Sequence, residues 1–393
     1  MRLIVKPLGI IASLLIFAVL TFLSVRGVLL PPKVVAPSVG SGDVTVLADT
    51  AKRSWLFDEV TFFNIAYREP DGQQKIAVTW KDMDTREAFK AILAGQQKPA
   101  VWVPSGSYWP TAMNSAWKRA HPGSGDLINT ADTHSYRVYL RTPLVFLTTK
   151  SKAATLRPLL SGSLQRPSWF AFHDLCAGKV STPWGRFRFS VADPLSSNSG
   201  FTMLAMVLVD YAQRTGRVGA LDRVPKDPGF AQFIREMRTG LATDVGAEKG
   251  ESALSAAYGE NPAHCDLIVT YESNALKAVT HNPDLAVIYP DKTAVAEESA
   301  AALSGDWVNP DQRTAAHTFL DFLGRQEALS DGVRKHFRPA QPTDKITLAP
   351  ELDRYRASGF QQVFTTNELP PYDTVNEVAY LWQGGTATPV KKP

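Results

Sequence analysis

The residues of this chain best suited to chemistry are hydroxyls gathered in short turns. Ser196, Ser197, Asn198, Ser199 and Gly200 stand between an apolar run, Phe189 to Ala192, and a helical pattern with Phe201, Leu204, Leu208 and Tyr211 on one stripe. A strand, a polar turn and a helix start in that order present unpaired N–H groups at the positive end of the helix dipole. The same residue types also cap helices that bind nothing. Asp49-Thr50 follow the strand-like Val44 to Ala48, and Ser105-Gly106-Ser107 follow the strand-like Ala100 to Val103. Hydroxyls and N–H groups at three strand ends suit capture of a ligand rather than the making or breaking of bonds.

Bond chemistry has thinner support. Ser115 to Lys118 matches S-x-x-K, Ser196 to Asn198 matches S-x-N, and Lys292-Thr293-Ala294 approaches K-T-G. An acyl-serine enzyme of the penicillin-binding type uses these motifs in that order. Here the third lacks its glycine and follows Tyr289-Pro290 in a turn. No G-x-S-x-G, H-E-x-x-H, Walker or G-x-G-x-x-G motif occurs, and no Cys/His spacing fits zinc. The sequence therefore assigns no catalytic residue, no metal and no cofactor.

The elements that must position these turns alternate. After Val44 to Ala48 comes a helix with Trp55, Phe57 and Val60, a strand at Lys75 to Trp80 and a capped helix at Asp84 to Ala94. The strand at Ala100 to Val103 and a helix near Thr111 to Ala120 complete βαβαβα, the pattern of a mostly parallel sheet, whose ligands sit beyond the strand carboxyl ends. Leu140 to Thr149 is a long apolar strand expected to cross into a second lobe. That lobe takes in the Phe189 strand, an amphipathic helix at Phe230 to Gly240 and a strand at Asp266 to Thr270, which ends in Tyr271-Glu272-Ser273. A helix starting within Asn274 to Val279, a strand at Leu285 to Tyr289 and a helix at Arg313 to Arg325 follow. The expected division is 1–30 anchor or signal, 31–43 linker, 44–140 first lobe, 141–270 second lobe, 271–345 return to the first lobe, and 346–393 a loose polar tail.

The 393 residues are 44% hydrophobic, enough for two cores. The net charge of +4 is spread out, with no Lys/Arg run of the nucleic-acid kind. Arg2 and Lys6 precede Leu8 to Val25, which is uncharged and just long enough to span a bilayer. Its exit, Leu23 to Val28, is a poor cleavage site, so an uncleaved anchor is favoured, with the body periplasmic or extracellular. Outside the cytoplasm Cys176 and Cys265 either pair or remain two buried thiols.

The series ADPLSSNSG, DLIVTYESNALKA, LAVIYPDKTAVAEESAAAL and GDWVNPDQRTAAHTFLDFLGRQEALSDGVRKHFRPA resembles bacterial extracellular solute-binding proteins. Within them it is similar to the type 2 class with molybdate- and sulfate-binding relatives. His336-Phe337-Arg338-Pro339 stands where that family ends a helix in GFRP. The resemblance implies a two-lobed α/β periplasmic-binding fold, each lobe a mostly parallel sheet flanked by helices; the apolar run Leu8 to Val25 adds one transmembrane helix before it. It implies a small ligand in the cleft, hinge closure, and delivery to an ABC-type permease.

Carried over residue by residue, the resemblance implies ligand contacts at Asp49, Thr50, Ser105, Gly106, Ser107, Thr149, Ser197, Asn198, Ser199, Gly200, Tyr271 and Glu272. The ligand is an oxyanion or a small organic solute. Asp49 and Glu272 would repel an anion, so either they point away or the ligand carries a cation. Trp55, Tyr108 and Trp109 either stack on the ligand or fill the lobe core. The membrane anchor departs from the family pattern and leaves a ligand-sensing or scaffold module for a membrane protein as the rival reading.

Overall fold

The structure, a computed structural model, describes residues 42–67, 76–106, 108–162, 166–242, 250–341 and 351–384. The apolar segment Leu8 to Val25 and Ser107 lie outside these residues. Among the described residues no helix is long and apolar enough to cross a membrane.

In the first lobe β1 (Val44–Ala48) pairs in parallel with β2 (Val78–Asp82) and β3 (Val101–Val103). The second strand begins three residues later than its apolar pattern suggests, at Val78 rather than Lys75. Between the strands run α1 (Arg53–Ala66) and α2 (Thr85–Leu93), and α3 (Tyr108–Ala120) follows β3. Val44, Val46 and Ala48 share one face of β1 and are wholly buried, while the other face buries Leu47 and leaves Thr45 exposed. α1 turns Trp55, Leu56 and Phe63 into the same core.

The crossing strand β4 (Tyr136–Thr149) is longer than its apolar core. Helices α4 (Lys150–Leu160) and α5 (Ser168–Cys176), strand β5 (Phe189–Val191) and helices α6 (Asn198–Arg214), α7 (Pro228–Arg238) and α8 (Glu251–Glu260) come next. Strand β6 (Leu267–Tyr271), α9 (Glu272–His281) and β7 (Leu285–Ile288) complete the second lobe. β5 and β6 are parallel, but β4 runs antiparallel to both β6 and β7, so this sheet is mixed rather than mostly parallel. Because β7 pairs with Phe146 to Thr149, the chain stays in the second lobe through Ile288 and does not return at 271.

The return is β8 (Val295–Ala302), which pairs antiparallel with the first half of β4 and with β3. Its sequence, VAEESAAA, has the residues of a helix, and the sequence reading assigned no strand here. Two neighbouring strands in need of partners override that propensity. α10 (Pro310–Leu323) opens with a capping box at Asn309 and Gln312. α11 (Gln326–Arg334) and the two-residue β9 (Arg338–Pro339) lead back to β4.

Of the segment expected to be a loose tail, the described residues 351–384 are built into the fold. Thr293 N–H donates to Thr365 O at 2.9 Å, and Asn367 N–H donates to Thr293 O at 2.9 Å. The last helix, α12 (Tyr372–Trp382), buries Val375, Val378, Ala379 and Trp382 against the second lobe. Its first residue reaches across: the Tyr372 ring lies 5.3 Å from Phe89 and 5.3 Å from Trp109 of the first lobe, and 5.5 Å from Phe201 of the second. Cys176 and Cys265 are free buried thiols in separate clusters.

Candidate functional site

The strand-end turns of the two lobes meet directly. Asp49 ends β1 and caps the turn after it: its carboxylate accepts from Ala51 N–H at 2.9 Å, Thr85 N–H at 2.9 Å and Thr85 Oγ1 at 2.6 Å. Those bonds tie the start of α1 to the start of α2. Thr50 Oγ1 donates to Asp84 at 2.8 Å. The backbone N–H of Ser105 donates to Thr85 Oγ1 at 2.9 Å, while its hydroxyl donates to Glu298 of β8 at 2.8 Å. Lys52 donates to that hydroxyl at 2.8 Å and ion-pairs with Glu298; all three residues are fully buried.

In the second lobe the start of α6 turns inward. Ser197 Oγ donates to Glu251 at 3.1 Å, and Ser199 N–H donates to the same oxygen at 3.0 Å. Gly200 is required here, because a Cβ would lie 2.1 Å from Ala192 O. Asn198 Nδ2 donates to the Tyr271 hydroxyl at 2.6 Å, which also bonds Thr202 at 2.9 Å.

The lobes are joined across this line. Trp109 Nε1 of α3 donates to Asn198 Oδ1 at 2.7 Å. Arg86 of α2 donates to Pro194 O at 2.6 Å, lies over the Phe201 ring at 4.9 Å and bonds Asn376 of α12. Gly106, at φ +108°, lets the β3 turn come this close, since a Cβ would sit 3.1 Å from Trp109 and 3.2 Å from Asn198. The result is a buried polar lock in which almost every group is satisfied by the chain itself.

Its charge is unbalanced. Asp49, Asp84, Glu251 and Glu298 lie within reach of one another's charge, and Lys52 pairs with Glu298. Burial first, then the charges of Asp49 and Asp84, push the Glu251 carboxyl well above the usual range. Burial and Asp49 raise Asp84 to about 7. Burial also raises Glu298, although Lys52 beside it pulls the other way. One oxygen on each of Glu251 and Glu298 is buried with no partner.

The structure brings together Asp49, Thr50, Ser105, Gly106, Ser197, Asn198, Ser199, Gly200 and Tyr271. It separates two others. Leu144 pairs with Tyr271 and Thr148 with Leu267, so Thr149 lies at the far end of β4, roughly 17 Å along the strand. There its hydroxyl caps α4 through Lys152 N–H at 3.4 Å. Glu272 points away into the hinge, taking Arg338 Nε at 2.8 Å and Nη2 at 2.6 Å, together with the Tyr289 hydroxyl. Trp55 is core, with its indole on Ala328 O at 2.8 Å.

The serine-enzyme motifs do not assemble. Ser115 is exposed on α3, Lys118 pairs with Asp126 at 2.7 Å, and Thr293 is buried with its hydroxyl on Leu144 O. Among the described residues no group of three or more His, Cys, Asp and Glu could hold a metal ion. The sequence reading missed Lys52, Arg86, Glu251 and Glu298. Glu298 was hidden in a run that looks helical, and Glu251 carries no motif. Beside the lock a cavity of about 840 Å³ opens between the lobes, walled by α1 on one side and by α8 and α9 on the other.

Comparison with known proteins agrees with this architecture. Residues 64–336 match the sequence profile of a family described as bacterial extracellular solute-binding protein. A curated relative, an uncharacterised protein of Mycobacterium tuberculosis H37Rv, is 23% identical over 335 residues. That match covers 80% of this chain but 45% of the relative, so the chain spans about half the length of that protein. Among solved structures, the sulfate-binding protein SubI from M. tuberculosis H37Rv superposes with a TM-score of 0.55 at 14% identity, covering 82% of this chain and 94% of that one. The periplasmic binding protein AfuA from Actinobacillus pleuropneumoniae, solved with fructose-6-phosphate, gives 0.58 at 12% identity, covering 88% and 98%.

Proposed function

The chain belongs to the bacterial extracellular solute-binding proteins, and from that premise we propose that it captures a small organic solute between its lobes and holds it by closing them. The fold is the two-lobed α/β fold of periplasmic binding proteins, and the family places the body outside the cytoplasm. The observation that carries the reading is the lock. Turns from both lobes bearing Ser105, Ser197, Ser199 and Tyr271, with half-buried Thr50 beside them, meet where Trp109 and Asn198 bridge the lobes. When the lobes part, the groups bonded across them, Trp109 with Asn198 and Arg86 with Pro194, are freed for a solute, while the hydroxyls keep their partners within each lobe.

Three acidic side chains without a cation of their own argue against a bare oxyanion in the lock. Glu251, Asp84 and Asp49 act on one another's charge, and Glu298 already holds Lys52. An anion entering there meets acidic groups, while Lys52 is held by Glu298 and Arg86 is turned to Pro194 O and Asn376. A solute carrying an amine or several hydroxyls fits better, since it replaces shared protons and donated bonds. Leu8 to Val25 is the proposed membrane anchor, and an ABC-type permease the proposed recipient.

The test is a thermal-shift screen of the folded chain against sulfate and molybdate, polyhydroxyl solutes, and amines. A solute that binds the native state raises the melting temperature. The reading expects a rise with an organic class and little with the oxyanions. It also expects the rise to vanish in a chain carrying Ser105→Ala and Ser197→Ala. If no class raises the melting temperature, a sensing or scaffold role for a membrane protein replaces solute transport.

A further inference from the structure

The surplus positive charge is gathered in one part of the second lobe, although no run of Lys and Arg marks it. Residues 166–238 hold ten of the 42 Lys and Arg but six of the 38 Asp and Glu, so the whole net charge of +4 falls within them. Exposure sharpens the imbalance. Eight of those ten bases are exposed, and of the six acids only Asp222 is. The other five acids are engaged by the fold. Asp210 is buried, and Asp193 accepts from Leu195 N–H at 3.0 Å. Asp174, Asp227 and Glu236 pair with Arg166, Arg217 and Lys179.

The helices of this stretch pack as one layer. The Tyr211 ring of α6 lies 5.0 Å from Phe230 and 5.2 Å from Phe233 of α7, and Phe233 stacks at 3.7 Å on His173 of α5. α8 and α9 bury their apolar residues in a separate cluster. Between α6 and α7 runs the turn Val218–Lys226. The chain enters it through exposed Arg214 and Arg217 and leaves it through exposed Arg223 and Lys226. Among these cations Val218 is 55% exposed, and Leu221 is half-buried. An apolar tip ringed by bases is the pattern of a segment that lies at a lipid interface, its apolar side chain among the headgroups and its cations on phosphates.

We propose that this face of the second lobe docks on a bilayer surface carrying anionic headgroups. Val218 enters the headgroup layer, and Arg223 and Lys226 meet lipid phosphates. The charge selects an anionic surface over a neutral one, and exposed Val218 selects lipid over a purely ionic partner. Residues 26–41, between the proposed anchor and the first described residue, can reach roughly 55 Å. That length lets the body turn its second lobe to the membrane. The anchor only brings the body near, and the patch makes the contact.

The full chain is mixed with vesicles of phosphatidylcholine alone, or of phosphatidylcholine and phosphatidylglycerol in equal parts, each carrying a nitroxide headgroup quencher. A fluorophore at Gly219→Cys, exposed and with open space around it, reports contact beside Val218. A fluorophore at exposed Ser115→Cys of the first lobe is the reference, and native Cys176 and Cys265 are buried away from label. In the mixed vesicles the label at 219 is quenched more than the label at 115, and the excess shrinks as salt rises. In the neutral vesicles the two labels are quenched alike. Arg223→Glu with Lys226→Glu, a reversal of two exposed charges, removes the excess. No excess in mixed vesicles, the same excess in neutral ones, or an excess that survives the charge reversal overturns the proposal; the first result leaves the patch to an acidic protein. Flotation scores the anchor separately. A chain that floats only with mixed vesicles has the patch without the anchor, and one that floats with both yet shows no excess has the anchor without the patch.

Discussion

Trp109 of the first lobe donates its indole N–H to the side-chain oxygen of Asn198 in the second, at 2.7 Å, and both residues are buried. The other end of the same amide reaches Tyr271 at 2.6 Å. One short side chain thus accepts from the first lobe and donates within the second, and separating the lobes breaks that line.

Asn198→Ala should therefore lower stability by roughly 1–3 kcal/mol, because it strands the Trp109 N–H and deprives the Tyr271 hydroxyl of a partner. Urea unfolding measures the loss. An unchanged midpoint would mean that the lobes do not depend on this bond.

The raised carboxyls of the lock make stability depend on pH. The folded chain holds the Asp84 proton up to about 7, where an ordinary Asp releases it near 3.8. Glu251 is raised in the same direction. For acids shifted upward the contribution is fully present below the ordinary value and is lost as pH rises through the folded one. Asp84→Asn, which is always neutral, should flatten the fall in melting temperature between about pH 4 and pH 7. An identical slope in the variant would show that Asp84 is ionised throughout.

Glu272 and Arg338 form a bidentate pair, 0% and 8% exposed at their side chains. Arg338→Ala leaves a buried carboxylate unpaired and frees Gln362 O of the C-terminal segment, which Arg338 also bonds at 2.8 Å. A cost of about 3–5 kcal/mol is expected in urea unfolding. A loss below about 1 kcal/mol, the worth of an exposed pair, would return Glu272 to the candidates for ligand contact.

Tyr372 ties α12 to both lobes through Phe89, Trp109 and Phe201. Tyr372→Ala should cost roughly 2 kcal/mol, less than a fully buried aromatic because the ring is partly exposed. Hydrogen exchange should quicken at the starts of α3 and α6 together. Faster exchange in α12 alone would show that the helix rides on the second lobe without restraining the first.

The alternation from Val44 to Ala120 was legible because each strand and helix there carries its own period. Ser105, Ser197 and Tyr271 were legible as strand-end residues, since topology sends such positions to one edge. Their company was not. Lys52, Glu251 and Glu298 come from three distant parts of the chain, and only the register of β8 brings Glu298 beside Ser105. β8 itself was hidden because Ala and Glu favour helix, and neighbouring strands overruled them. Thr149 was misplaced because a strand 14 residues long has two ends, and composition does not say which end faces the cleft. The C-terminal segment looked loose because its anchors, Arg338 and Thr293, lie far back in the sequence.

Single-molecule energy transfer between dyes at Ser115→Cys in the first lobe and Arg235→Cys in the second tests the central claim most directly. Both positions are exposed, and native Cys176 and Cys265 are buried away from label. Without solute the chain should divide between a shut form, with Trp109 on Asn198, and a wider one. The solute that raises the melting temperature should gather the molecules into one closed population. A distribution that the solute leaves unchanged would contradict capture between the lobes.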